Sequence, residues 1–328
     1  MKKRFLLFVL TLLLVLSPLS GGAFIGYASE KTVYLGGMPA GFEIQARGAY
    51  VAGISDVITK TGIESPAKNA GIRSGDIIYS INGAEINSSA DIERVLTLAV
   101  GEIEVEIMRC KEKITLNFEP AVDISGNKKL GVFIKDGISG IGTVTYIDED
   151  MIATLGHPVL DNDKVSIDLV KGGIFECTIT GYIKGEKGKA GELKGAIFTD
   201  KKIAEITKNT EYGVFGKLVK TYDKNDLTEI AVGDGKPGNA SIFTTINGNK
   251  PEEYSISIVK AETLISDTKN FVIKITDKRL LDATSGIVQG MSGSPIVQDG
   301  KLIGAVTHVF ISDPTRGFGI SIKNMLNQ

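Results

Sequence analysis

Ser292 stands in the run Gly290-Met291-Ser292-Gly293-Ser294-Pro295, whose residue types and spacing suit a nucleophile. Glycines on both sides let the backbone fold tightly, so the serine hydroxyl can project outward. The amides of Gly290 and Ser292 then converge on one point, where the oxyanion of an acyl-transfer intermediate would form. Such a hydroxyl needs a base, and the chain holds two histidines, His157 and His308. His157 closes the stretch 142–157, which reads as a strand, an acidic turn at Asp148–Asp150, and a second strand ending at the imidazole. His308 lies on the strand that follows the nucleophile after an Asp299-Gly300 turn. It is expected as a wall of the specificity pocket rather than as the base. Ser294 competes with Ser292, and the register of the motif favours Ser292. A buried carboxylate should fix the imidazole tautomer. Asp161 and Asp163 follow His157, Asp277 precedes the nucleophile in Ile275-Thr276-Asp277-Lys278, and spacing does not choose among them.

Those groups must be carried by β structure. From Asp123 onward the chain is a series of short Val/Ile/Thr-rich runs broken by glycine and charged turns, with helical periodicity only near 322–326. Runs such as Leu130–Ile134, Gly142–Ile147, Met151–Leu155, Gly173–Ile183, Glu252–Val259 and Ile303–Phe310 suit a double barrel. The earlier segment, Lys31 to about Pro120, is of mixed texture. Ser65-Pro66-Ala67 opens a short helix that Gly71 stops. Ile77–Ile81 is a strand ending in an Asn82-Gly83 turn. Ser88 or Ser89 caps an amphipathic helix with Ile92, Val95, Leu96 and Ala99 on one face.

Composition excludes some classes. A net charge of −2 over 328 residues carries no basic stripe for nucleic acid. The two cysteines, Cys110 and Cys177, form no metal-binding spacing, and no disulfide, metal or cofactor is expected. Lys2, Lys3 and Arg4 precede an apolar run from Phe5 to Leu16, the pattern of a signal peptide or membrane anchor over residues 1–28. The remainder is therefore expected outside the cytoplasm.

Residues 63–83, with Ala70-Gly-Ile-Arg-Ser-Gly-Asp-Ile-Ile78 followed by Ile81-Asn-Gly83, closely resemble a bacterial-type PDZ domain spanning 31–120. The resemblance implies a groove that takes an extended peptide by strand addition. Its carboxylate-facing loop is expected at Pro39, Ala40, Gly41 and Phe42, with Glu43–Ala46 as the pairing strand. The donor pair at the nucleophile and two residues earlier is similar to chymotrypsin-like enzymes. The fold expected is thus mainly β, a small α+β PDZ domain followed by a trypsin/chymotrypsin-like double β-barrel over 123–328.

Leu155-Gly-His157-Pro158, Ile287-Val-Gln-Gly-Met-Ser-Gly-Ser-Pro-Ile296 and Gly304-Ala-Val-Thr-His-Val309 together resemble the SpoIVB peptidase family of endospore-forming bacteria. The resemblance implies a serine endopeptidase secreted from the forespore into the intermembrane space, anchored or released. Its implied partners are a membrane-bound regulator of an intramembrane protease and its own N-terminal region, with sigma-K activation as the outcome. It implies His157 as base, Ser292 as nucleophile and Asp277 as acid.

Overall fold

The computed structural model describes residues 30–110, 112–160, 169–219, 226–262 and 268–328. The leader expected at 1–28 lies outside the described residues, as do Asp161 and Asp163. Among the described residues no helix is long and apolar enough to cross a membrane.

The strands that position the site, in chain order, are β1 (Thr32–Leu35), β2 (Pro39–Ala46), β3 (Ala49–Ile54), β4 (Ile77–Ile81), β5 (Ile103–Arg109), β6 (Glu112–Phe118) and β7 (Val132–Lys135). The second group is β8 (Ile138–Asp148), β9 (Met151–Thr154), β10 (Leu169–Ile183), β11 (Glu192–Thr210), β12 (Gly213–Leu218) and β13 (Glu229–Val232). The third is β14 (Gly238–Thr244), β15 (Glu252–Ala261), β16 (Phe271–Ile275), β17 (Pro295–Gln298), β18 (Lys301–Phe310) and β19 (Asp313–Ser321). Among the described residues four helices accompany them: α1 (Pro66–Ala70), α2 (Ser89–Leu98), α3 (Lys278–Thr284) and α4 (Ile322–Leu326).

Two closed barrels result. The first runs β2-β8-β9-β12-β11-β10 and returns to β2. The second runs β18-β17-β14-β15-β16-β19 and returns to β18. Closure leaves no free edge in either, and each interior is filled by inward-facing side chains. Phe42, Ile44, Val144, Ile152, Ile174 and Val214 fill the first, and Tyr254, Ile256, Phe271, Ile273, Ile296 and Val306 the second. β1 and β13 bridge the barrels, β1 pairing with β8 and β13 with β18. Beneath that bridge Val33, Tyr146, Phe215, Leu302, Ile320 and Met325 form a separate apolar layer. The double barrel expected from the spacing of the runs is the fold of this chain.

The PDZ unit does not simply precede the barrels. Its sheet runs β7-β3-β4-β5-β6 around Val51, Ile78, Ile81, Ile92, Leu96 and Val105, and the chain enters it from β2 and leaves it into β8. It is therefore an insertion between two neighbouring strands of the first barrel. Asn82-Gly83 and Asp299-Gly300 are tight turns with both residues at positive φ, the two-residue hairpin geometry. Ser88 caps α2 by accepting from the Asp91 amide.

Candidate active site

The nucleophile segment follows α3. Ser285 ends that helix in the left-handed region and Ile287 N donates to Pro314 O at 2.8 Å. Gly290 (φ +99°) and Gly293 (φ +94°) then bend the chain around Ser292. A Cβ on Gly293 would lie 2.1 Å from Thr143 O and 2.5 Å from Leu155 N, both backbone atoms of the first barrel. Only glycine lets the two barrels meet this closely.

Two buried threonines of β8 hold the loop. Thr143 Oγ1 donates to Gly290 O at 2.9 Å, Thr143 N to Ser292 O at 2.9 Å, and Thr145 Oγ1 to Gly293 O at 2.8 Å. With these carbonyls occupied by the first barrel, the amides of Gly290 and Ser292 donate to no acceptor among the described residues. Two free, fixed N–H groups flanking a serine are the donors an oxyanion requires. Ser294, the competing hydroxyl, is fully buried and donates to Met291 O at 2.6 Å, so it is a structural brace of the turn. Ser292 is half-buried, and its hydroxyl donates to Thr307 O at 2.7 Å. No sequence signal marked Thr143 and Thr145, because a threonine in a strand is ordinarily just a good strand former.

His157 reaches the same place from the other barrel. β9 ends at Thr154, and Leu155 and Gly156 both take positive φ, turning the chain towards β18. A Cβ on Gly156 would stand 3.0 Å from Thr307 Cγ2. Ser292 and Gly156, the residue before His157, thus both approach Thr307. The neighbouring His308 lies with its ring centroid 4.9 Å from that of His157, tilted by 40°. His308 covers the imidazole rather than standing apart from it. Burial holds His157 below the ordinary imidazole range, with the Pro158 carbonyl opposing that shift. His308 keeps an exposed edge, yet desolvation of its ring, then repulsion from His157 and Lys269, pushes it down to about 4.

Asp277 is not joined to this pair. It is the N-cap of α3, accepting from Arg279 N at 2.9 Å, and its carboxylate pairs with the Arg279 guanidinium at 3.0 Å and accepts from Ser255 N at 3.3 Å. The Arg279 guanidinium holds its carboxyl below the usual range. Its position before a helix, with an arginine two residues on, is what a cap requires, and this corrects the Ser–His–Asp277 arrangement expected from the resemblance. His157 instead sets Nδ1 2.8 Å from the Pro158 carbonyl.

The strand expected to pair with a PDZ ligand has no free edge. Pro39–Phe42 and Glu43–Ala46 form β2, whose two edges are both taken, by β8 (Ala40↔Gly142, Phe42↔Gly140) and by β10 (Ala40↔Glu176, Phe42↔Ile174). No peptide can add to a strand paired on both sides. Alternating apolar residues suit a barrel wall as well as a groove, which is why the sequence alone misplaced them. Of the two edge strands of the PDZ sheet, β6 and β7, it is β7 that faces α2, across a cavity of about 420 Å³. Val57, Ile92, Leu96, Leu130, Val132 and Ile134 line it, with Lys128, Lys129, Asp56, Glu93 and Asp123 as its charged residues and Lys129 paired with Glu93. The signal that could have found it is the apolar-Gly-apolar run Leu130-Gly131-Val132 behind two lysines. Cys110 and Cys177 are free thiols, and among the described residues no metal-binding cluster occurs.

The description SpoIVB peptidase S55 matches residues 126–326, and a PDZ domain description matches 39–119. The chain belongs to the SpoIVB peptidase family. It is a PDZ-containing serine peptidase. A Clostridium perfringens protein named as a zinc metalloprotease is 28% identical over 116 residues, 35% of this chain and 31% of that protein. The match therefore spans under a third of that relative's length. Among solved structures, the inactive form of the Rv3671c protease is 14% identical, with 57% of this chain and 82% of that chain covered, at a TM-score of 0.33. The active form of that protease, from M. tuberculosis, is 16% identical, with 58% and 73% covered, at a TM-score of 0.33.

Proposed function

We propose that this peptidase is an exported sporulation-signalling endopeptidase in which Ser292 is the nucleophile and His157 the general base. Ser292 Oγ gives its proton to His157 Nε2 and attacks a peptide carbonyl. The oxyanion is received by the amides of Gly290 and Ser292, and the imidazolium passes the proton to the departing amine. Water then releases the acyl group through the same base. The observation that carries this reading is the loop held by Thr143 and Thr145, which leaves both amides unspent beside Ser292. In the state described the hydroxyl faces Thr307 O, so rotation about its Cα–Cβ bond precedes attack.

The apolar lining of the cavity between β7 and α2 suits an apolar peptide side chain beside a strand added to β7. Family membership supports a membrane-associated regulator of an intramembrane protease as substrate, with sigma-K activation downstream. It also supports the chain's own N-terminal segment as a second cleavage target. Secretion from the forespore, anchored or released by the apolar run 5–16, belongs to the same reading.

A fluorophosphonate probe tests the chemistry. The wild-type chain is expected to label and Ser292→Ala and His157→Ala to fail. Equal labelling of wild type and Ser292→Ala, or none in any form, would leave a PDZ-barrel scaffold without this activity.

A further inference from the structure

Among the described residues His157 has one hydrogen-bond partner, the Pro158 carbonyl, 2.8 Å from Nδ1. A carbonyl oxygen has no proton to give, so this contact holds only while Nδ1 carries the hydrogen. Nε2 then keeps its lone pair, the tautomer a general base needs. A carbonyl sets a tautomer only if the chain bearing it is held still. Asn209, near the end of β11, does this: Val159 N donates to Asn209 Oδ1 at 2.8 Å, and Asn209 Nδ2 donates to Val159 O at 3.0 Å. One planar amide thereby fixes both the place and the tilt of the main chain next to Pro158.

The anchor is itself tied to the strand that delivers the histidine. Asn209 pairs opposite Val214 on β12, Val214 pairs opposite Thr154 on β9, and Thr154 Oγ1 donates to Val214 O at 2.9 Å. His157 is therefore approached from both chain directions by the same three strands of the first barrel.

We propose that Asn209 is a positioning residue of this peptidase. Through Val159 it holds the Pro158 carbonyl against His157 Nδ1, so a main-chain oxygen sets the tautomer that serine peptidases usually set with a carboxylate. The inference rests on His157 being the base. A neutral acceptor orients the ring but stabilises the imidazolium less than a carboxylate does.

Because the chain has two histidines, ¹⁵N-imidazole NMR of the whole protein is readable directly, with His308→Gln assigning the His157 signals. The wild type is expected to carry the proton on Nδ1 of His157 at neutral pH. Asn209→Ala is expected to mix the tautomers and to lower kcat about 10- to 100-fold with KM nearly unchanged, the cost of a misplaced catalytic group. Asn209→Asp, which keeps the acceptor and loses the donor, should fall between them and serves if the alanine variant does not fold. A wild-type His157 protonated on Nε2 would overturn the proposal. So would a folded Asn209 variant with unaltered tautomer and kcat. If His157→Ala keeps full kcat, the base assignment fails, which is distinguishable because the NMR result is independent of turnover.

Discussion

Replacing Asp277 by asparagine separates two accounts of the active site. The carboxylate caps α3 through Arg279 N at 2.9 Å and meets the Arg279 side chain through Nε at 3.2 Å and Nη2 at 3.0 Å. Asparagine caps a helix through Oδ1 as well as aspartate does, but its amide nitrogen replaces Oδ2, which accepts from Ser255 N and Arg279 Nη2, so the substitution removes the charge together with those two hydrogen bonds. The exposed ion pair itself contributes little, and losing the acceptor for the Ser255 amide costs about 1 kcal/mol. Asp277→Ala loses the cap as well, adding about 1 kcal/mol. Had Asp277 been the orienting acid, the same asparagine would present the wrong hydrogen-bonding group to the imidazole and cost about 10⁴ in kcat. The assay is kcat on a peptide cleaved by the wild type, with thermal unfolding of the same samples. Asp277→Asn is expected to keep kcat within about a factor of ten while lowering stability by about 1 kcal/mol. A loss of three or more orders of magnitude in kcat at unchanged stability would refute the assignment of Asp277 to the helix cap.

Two further outcomes follow from the geometry. Gly293→Ala forces a Cβ against Thr143 O and Leu155 N at φ +94°, and neither backbone can retreat without opening the seam. We expect destabilisation of about 3 kcal/mol or more in urea unfolding, with loss of fluorophosphonate labelling. Wild-type stability and labelling in this variant would contradict the seam contact. His157 and His308 are both held below the ordinary imidazole value, so the native state binds fewer protons than the unfolded chain as pH falls below about 6.5. Their contribution is fully present above that pH and is lost on acidification towards the folded values, about 4 for His308. The acid limb of kcat/KM should accordingly have its midpoint below 6.5. A midpoint above 7 would be inconsistent with a buried, carbonyl-bonded base.

Much of this protein was legible without coordinates because its signals are local. Gly290-Met-Ser-Gly-Ser-Pro295 carries its meaning in glycine positions and donor spacing, which can be read from the residues of the motif itself. The Asn82-Gly83 turn, the Ser88 cap and the apolar face of α2 are likewise set by residues within a few positions of one another. The double barrel followed from the spacing of many short runs, each a local reading. With two histidines in the chain, the choice of base was narrow before any folding was considered.

What only the tertiary structure decided are pairings between residues far apart in sequence. β2 reads as an alternating strand in either domain, and its place in the first barrel depends on β8 and β10, which begin about 100 residues or more later. β7, by contrast, is an edge strand of the PDZ sheet, and an edge is a property of the sheet rather than of the strand's own sequence. Asp277 looks the same on paper as a triad acid or as a helix cap, and Arg279 settles its bonds in space. Thr143, Thr145 and Asn209 act through main-chain atoms 147, 148 and 50 residues away. A hydrogen bond to a backbone atom specifies no partner side chain, so it leaves no motif, and only the folded chain reveals it.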